Sequence, residues 1–297
     1  MADITLLDGS IGQELVKRSG DKPTPLWSTR VMIDHPELVE EVHAEYFRRG
    51  ATVATTNTYA VHRSRLERLD MEDQLPDLVH AAVTQANHAR KGGSGRIAGA
   101  LGPLLASYRP DLNPDVEDAA EKFAELVTLM SDDVDLFLIE TVSSVQEAEG
   151  ALRGTIDAAK PVWLALSVMD DDGTRLRSGE PLADIAPLVD RFNPDAVLIN
   201  CSRPEAIPAA LKVIATMRRP FGAYANGFTG IAQDFLKDAP TVDVLTQRRD
   251  LGPEAYADHA MEWVAQGATI VGGCCEVGPD HIEVLAGRLL SAGHRIV

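Results

Sequence analysis

Only three residues in the chain carry a thiol, Cys201, Cys274 and Cys275, and two of them stand side by side in the stretch TIVGGCCEVGPDH. An odd number of cysteines makes no disulfide framework, so in a reducing compartment they read as metal ligands, reactive thiols or small core residues. Three thiolates together suit Zn²⁺, bound tetrahedrally at about 2.3 Å with a fourth position left open for a reactant. Two blander readings stand beside that one. Each cysteine alone is most often a buried core residue, and the adjacent pair could form a vicinal disulfide or redox couple. A regular strand would point Cys274 and Cys275 to opposite faces. Gly272 and Gly273, directly before them, let the strand bend at its end so that both sulfurs turn toward one point. The histidines add little to this chemistry: His281 falls where the last helix would begin, and the other seven, His43 and His62 among them, read as solvated or capping.

Cys201 lies 73 residues before Cys274, so the fold must bring the thiols together. Eight short apolar runs alternate with helix-like segments: ITLLDG, ATVATTNTY, RIAGALGP, LFLIET, PVWLALSV, AVLINCS, PFGAYANG and TIVGGCC. They are almost continuously apolar, as parallel strands buried on both faces are. Between them, PELVEEVHAEYFRRG, DVEDAAEKFAELVTLM, PEAIPAALKVIATM and PEAYADHAMEWVAQG carry helical periodicity, several with proline near the start. This pattern predicts a (β/α)8 TIM barrel in which residues 1–297 form a single domain; an open doubly wound sheet is the alternative. Polar or reactive residues end six of the eight runs: Asp8, Asn57, Glu140, Asn200 with Cys201, Asn226, and Cys274 with Cys275. In such a barrel the ends of the strands meet at one mouth, so these residues converge there. The segment 228–251 is long for a barrel connection and reads as a lid or substrate-binding loop.

Composition narrows the function. The 297 residues are 45% hydrophobic and 25% charged, with a net charge of −17, which sets the chain against nucleic acid and anionic membrane surfaces. No apolar stretch reaches the roughly 20 residues of a membrane-spanning helix, and the first ten residues lack a secretory pattern, so the expected location is cytoplasmic. Small-molecule substrates are the expected partners, and a homo-oligomer is compatible with the composition.

In order along nearly the whole chain, LLDGSIGQEL, PLWST, TTNTYA, GALGP, FLIETVSS, DDGTRLRSGEPL, INCSRPEAI, YANGF and GATIVGGCCEVGPDHI resemble the homocysteine S-methyltransferase family. The resemblance implies a zinc-dependent (β/α)8 barrel that moves a methyl group from an activated donor to homocysteine, giving methionine. It implies that the zinc ligands are Cys201 of the Asn-Cys motif and Cys274 and Cys275 of Gly-Gly-Cys-Cys. PLWST and the compact length are more similar to the branch using S-methylmethionine or S-adenosylmethionine than to the longer betaine branch. The chain departs from the family pattern at Glu276, Val277, Gly278 and Pro279, where Gly-Thr-Thr-Pro is usual, and at Tyr224, Ala225, Asn226, Gly227 and Phe228.

The chemistry then distributes roles. A metal-bound thiol loses its proton near neutral pH and needs no general base to attack a methyl group on a positive centre. Glu140 is expected to pair with the acceptor's ammonium group, a role the resemblance also assigns. Asp8 would do the same, touch the donor, or cap a helix. Gly9 would let substrate approach the backbone, and Thr55, Thr56 and Asn57 would either bind the acceptor's carboxylate or satisfy buried polar groups. Asn200 and Asn226 are expected to support the site from behind, and Trp27 either to stack on a sulfonium or to pack. Alternatives are methyl transfer to another thiol, transfer from betaine, dimethylsulfoniopropionate or a corrinoid partner, and a non-catalytic Cys₃ module that binds zinc or thiols.

Overall fold

The computed structural model describes residues 1–21, 24, 26–231 and 245–297. Its strands are β1 (Asp3–Leu6), β2 (Val53–Thr55), β3 (Arg96–Leu101), β4 (Leu136–Val142), β5 (Val162–Leu166), β6 (Ala196–Asn200), β7 (Phe221–Ala225), β8 (Ile270–Gly273) and β9 (Arg295–Ile296). All pair in parallel, in the order β2-β3-β4-β5-β6-β7-β8-β1-β9. A parallel bridge between Leu7 and Val53 joins β1 back to β2, with Thr52 N–H donating to Leu6 O at 2.7 Å and Asp8 N–H to Val53 O at 3.0 Å. The sheet therefore curls into a TIM-type barrel. Eight strands answer the eight apolar runs; the short β9, which clips the C-terminus to β1, has no counterpart in the sequence reading.

The helices are α1 (Ile11–Ser19), α2 (Ser28–Asp34), α3 (Pro36–Arg48), α4 (Arg63–Leu66), α5 (Leu75–Arg90), α6 (Val116–Met130), α7 (Val145–Gly154), α8 (Ala186–Phe192), α9 (Ile207–Ile214), α10 (Pro253–Ala265) and α11 (Pro279–Ser291). Their starts follow the local chemistry. Asp115 caps α6 by accepting from Asp118 N–H at 2.9 Å, and proline occupies the first turn of α3, α10 and α11. The segment from Pro204 becomes helical only at Ile207. On α3, Val39, Val42, His43 and Tyr46 repeat at the spacing of one helical face and are all buried. His43 and His62 are thus buried, not solvated, and burial pushes them down to about 4 and about 3. Among the described residues, no helix is long and apolar enough to cross a membrane.

Two apolar layers follow from strand alternation. Residues pointing outward, such as Phe137, Ile139, Val197 and Ile199, pack against the helices. Leu7, Val53, Leu136, Leu138, Trp163, Leu198 and Tyr224 fill the barrel interior. Continuing the inward positions of β4 by two from Leu138 reaches Glu140, and those of β6 from Leu198 reach Asn200. Alternation alone aims both polar side chains at the mouth.

At the start of α7, Ser144 Oγ accepts from Glu147 N–H at 3.1 Å while the Glu147 carboxylate accepts from Ser143 N–H at 2.6 Å, a reciprocal cap in the interior. Burial pushes Glu147 from 4.5 up to about 7, opposed by the hydrogen bonds from Ser143 and Asn113. Its folded-state value lies above its unfolded one, so its stabilising contribution is complete below pH 4.5 and is lost as pH rises through about 7. Glu147→Gln keeps an acceptor for Ser143 and removes the titration. The loss of unfolding free energy between pH 5 and pH 8, measured by urea denaturation, should shrink by roughly 2–3 kcal/mol in this variant. Identical pH slopes in variant and wild type would show that Glu147 titrates alike in both states.

Candidate active site

The three sulfurs meet. Cys201 follows β6 and Cys274 and Cys275 follow β8, with Sγ–Sγ separations of 2.8 Å between Cys201 and Cys274 and 3.8 Å between Cys201 and Cys275; all three sulfurs lie within 4.8 Å of one another. Tetrahedral coordination at about 2.3 Å per sulfur spaces the ligands about 3.8 Å apart. The Cys201–Cys275 pair already has that spacing, and the Cys201–Cys274 pair needs to open by about 1 Å. A set of three thiols, with no carboxylate or imidazole among them, suits a thiophilic ion.

The backbone reaches this geometry differently from the expectation that glycine dihedrals bend β8. Neither Gly272 nor Gly273 has a positive φ; the left-handed turns belong to Cys201 (φ 49°) and Glu276 (φ 64°). The glycines instead permit contact. A Cβ on Gly272 would collide with Leu7, and one on Gly273 with Val277. Gly9 has the same role: its missing Cβ leaves room for the Val277 carbonyl and the Tyr46 ring. Glu276, where the chain departs from the family pattern, is latched to α1 by two hydrogen bonds, Glu276 N–H to Gln13 Oε1 at 2.7 Å and Gln13 Nε2 to Glu276 Oε1 at 2.6 Å.

These sulfurs form the floor of a cavity of about 480 Å³ that is also lined by Asp8, Gly9, Trp27, Thr55, Thr56, Asn57, Tyr59, Tyr108, Glu140, Tyr224, Phe228 and Leu245. Cys201 is the thiol that ionises first. Cys274, Cys275 and Tyr108 all approach its sulfur, Tyr108 OH at 3.0 Å, and this holds it well below the ordinary thiol range, whereas Cys274 and Cys275 are pushed up by giving their protons to that contact and by burial. Arg177 backs the strained Cys201 by donating to its carbonyl at 3.2 Å, stacking at 5.1 Å over the Tyr108 ring and pairing with Asp170 at 2.8 Å.

Two buried carboxyls face the sulfurs from other strands. Asp8 accepts from Thr55 N–H at 2.7 Å and Thr55 Oγ1 at 2.6 Å; burial still pushes it up to about 7. Glu140 accepts from Tyr224 OH at 2.9 Å, and burial, with Asp8 and Cys201 nearby, pushes it up to about 8. The remaining expected residues divide. Thr56 is occupied with Thr58 and with Ala100 N–H, and Asn57 Nδ2 donates to Ser28 O at 3.3 Å. Asn200 lies behind the site, accepting from Thr141 N–H at 3.0 Å and donating to Thr141 Oγ1 at 3.1 Å; Asn226 Oδ1 accepts from Phe228 N–H at 3.2 Å. Trp27 covers Gly12 and meets Tyr59 edge-on, with ring centroids 6.2 Å apart. His281 starts α11 as expected, its Nδ1 accepting from Gly278 N–H at 3.2 Å. Residues 232–244, the middle of the long connection, lie outside the described residues. Its ends are paired, Thr229 N–H to Thr246 O at 2.9 Å and Arg248 N–H to Gly227 O at 2.7 Å.

Sequence reasoning missed Tyr59, Tyr108, Arg177 and Tyr224. Strand alternation would have found Tyr224, since it occupies an inward position of β7. Tyr108 and Arg177 sit on loops, where spacing carries no direction.

Comparison with known proteins agrees with this geometry. The family profile described as homocysteine S-methyltransferase matches residues 5–289. The chain is similar to the homocysteine S-methyltransferase of Escherichia coli (strain K12), 30% identical with 96% of this chain and 95% of that protein covered. It is also similar to the homocysteine S-methyltransferase YbgG of Bacillus subtilis (strain 168), 26% identical with 95% and 93% covered. Among solved structures, the metallated form of the homocysteine methyltransferase MmuM from Escherichia coli superposes with a TM-score of 0.81 at 28% identity, covering 96% of each chain.

If the three sulfurs share one ion, then each is needed. Protein dialysed against metal-free buffer should retain about one thiophilic ion per chain by elemental analysis, and Cys201→Ser, Cys274→Ser and Cys275→Ser should each retain little. Full occupancy in any one variant would remove that sulfur from the ligand set.

Proposed function

The chain belongs to the homocysteine S-methyltransferase family, and on that premise we propose that it transfers a methyl group from a sulfonium donor, S-methylmethionine or S-adenosylmethionine, to the thiol of homocysteine, giving methionine, with Zn²⁺ held by Cys201, Cys274 and Cys275. The observation that carries this reading is the convergence of three sulfurs, all within 4.8 Å, on the floor of a cavity whose walls hold two buried carboxyls. When bound there, zinc supplies the acidity that frees the acceptor thiol of its proton at neutral pH.

The chain's own groups do the rest. Glu140 is placed to take the acceptor's ammonium group, and its Tyr224 partner fixes which way the carboxyl faces. An ammonium arriving beside it draws its pKa back down, so substrate and carboxylate stabilise each other's charge in a dry site. Asp8 adds negative potential beside the path of a cationic donor, held rigid by two bonds from Thr55. Leu7, Phe228 and Leu245 keep the cavity apolar between these charges. In the transfer a carbon–sulfur bond forms on the acceptor as the donor's breaks, and the donor sulfur keeps the electron pair and becomes a neutral thioether. No oxidant or base is consumed beyond the one taking the thiol's proton. A cytoplasmic setting, with residues 1–297 acting as one unit, keeps the thiols reduced and available.

Glu140→Gln should raise KM for homocysteine about tenfold to a hundredfold while metal content stays at the wild-type level, because a charge-assisted hydrogen bond is lost but no ligand. Unchanged acceptor kinetics would leave Glu140 with a structural role only.

A donor panel tests the reading itself. With homocysteine as acceptor, S-methylmethionine or S-adenosylmethionine should be at least about tenfold more efficient than betaine, the sulfonium being the better leaving group, and methyltetrahydrofolate should give nothing. A clear preference for betaine or folate in competition with isotopically labelled donors would overturn the donor, and an inert protein would favour a thiol-binding module.

A further inference from the structure

The cavity lining carries a cation with no role in the transfer derived above. Arg65, on α4, lines the same cavity as the three sulfurs; the residue is half-buried, and its Nε is withdrawn from solvent with no hydrogen-bond partner. Its neighbours on the chain are provided for. Arg63, two residues earlier on the same helix, holds Glu125 with three hydrogen bonds of 2.5, 2.8 and 3.0 Å, and Arg109, which also lines the cavity, holds Asp111 at 2.7 and 2.6 Å. In a chain with 45 acidic residues against 28 basic ones, a half-buried arginine that pairs with none of the described carboxylates is conspicuous. The titratable groups beside it are Tyr59, a phenol that burial keeps protonated, and Arg68, whose charge repels it. A buried charge without a partner opposes folding, and a guanidinium is shaped for two-point contact with a carboxylate.

We propose that Arg65 binds the carboxylate of the methyl donor, so that the donor is a zwitterion whose sulfonium end lies over the sulfur cluster and whose carboxylate end reaches the wall formed by α4. This rests on the sulfonium-donor reading. The acceptor is held close to the floor, with its ammonium at Glu140 and its sulfur among the cysteines. The donor must come in line from the mouth, and the part of it beyond the sulfonium lies toward Tyr59 and Arg65. Asp8 and Glu140 then favour the positive end and Arg65 the negative end, which selects amino-acid sulfoniums over simple alkyl ones.

Calorimetric titration of the full-length protein with S-methylmethionine and with trimethylsulfonium, which lacks a carboxylate, separates this from a structural role. Arg65→Met should weaken S-methylmethionine binding about tenfold to a hundredfold and leave trimethylsulfonium binding unchanged. In turnover, the donor's KM should rise while the homocysteine KM holds. The unfolding midpoint should stay level or rise, because a half-buried cation with no carboxylate partner is removed; a structural arginine would lower it. Equal weakening of both sulfoniums, an effect confined to homocysteine, unaltered S-methylmethionine binding, or no S-methylmethionine binding in the wild type would each overturn the assignment. Binding that behaves as expected without methyl transfer to homocysteine would sink the acceptor reading and leave the carboxylate site standing.

Discussion

The mouth of the barrel depends on how closely the turn after β8 lies against the turn after β1. Gly273 N–H donates to Asp8 O at 2.9 Å and Ser10 N–H to Val277 O at 2.9 Å, and on the other side Cys274 N–H donates to Ala225 O at 2.9 Å and Gly227 N–H to Cys275 O at 2.8 Å. Beyond that, Asn226 N–H reaches Ser202 O at 3.1 Å and Cys201 N–H reaches Tyr224 O at 3.2 Å. The hydrogen-bond ladder thus continues past the ends of the strands and carries thiols from β6 and β8 to one point. A Cβ at position 9 or 272 would collide with the turn after β8 or with Leu7 and force these segments apart. The cluster is therefore a consequence of backbone contact first and of cysteine chemistry second.

The cost of that convergence is visible in the dihedral angles. Among the described residues, eight other than glycine have positive φ. Asp70, Asn193 and Arg218 simply end helical turns, as left-handed residues often do. The other five, Trp27, Tyr108, Thr141, Cys201 and Glu276, border the cavity or adjoin residues that do. Strain of about 1–3 kcal/mol at each such position persists only where surrounding contacts over-determine it. Those contacts are present: Arg177 and Ser167 hold the Cys201 carbonyl, Asn200 holds Thr141, and Gln13 holds Glu276. Rigid supports of this kind hold the turns that carry the three sulfurs to one point.

Much of this was legible in the sequence where a period or a spacing carries direction. Eight apolar runs with polar ends announce the barrel and its mouth, and the inward period of β4 points Glu140 into it. The convergence of Cys201 with the adjacent pair needed only the topology. What stayed hidden has no period. Tyr108 and Arg177 are loop residues whose direction is set by turns, and the role of Gly9 and Gly272 lies in contacts between segments more than 260 positions apart, which nothing local encodes. The buried His43 was hidden by habit of residue type: its place on the Val39–Val42–Tyr46 face was readable, but imidazole suggested solvent.

Electrostatics complete the selection. Asp8, Glu140 and the cysteine cluster put acids around one cavity, and burial lifts Asp8 to about 7 and Glu140 to about 8. An approaching cation reverses this, since each carboxyl that ionises beside it strengthens the field felt by the next positive group. On the proposed sulfonium-donor reading, the site would be most negative when an ammonium and an onium are both present. On the same reading, the donor would lose its charge as the methyl group leaves, and the field that favoured it would no longer favour the neutral thioether. A polyanionic donor such as a folate polyglutamate would meet the opposite field, reinforced by a chain carrying a net charge of −17, before touching any residue of the cavity.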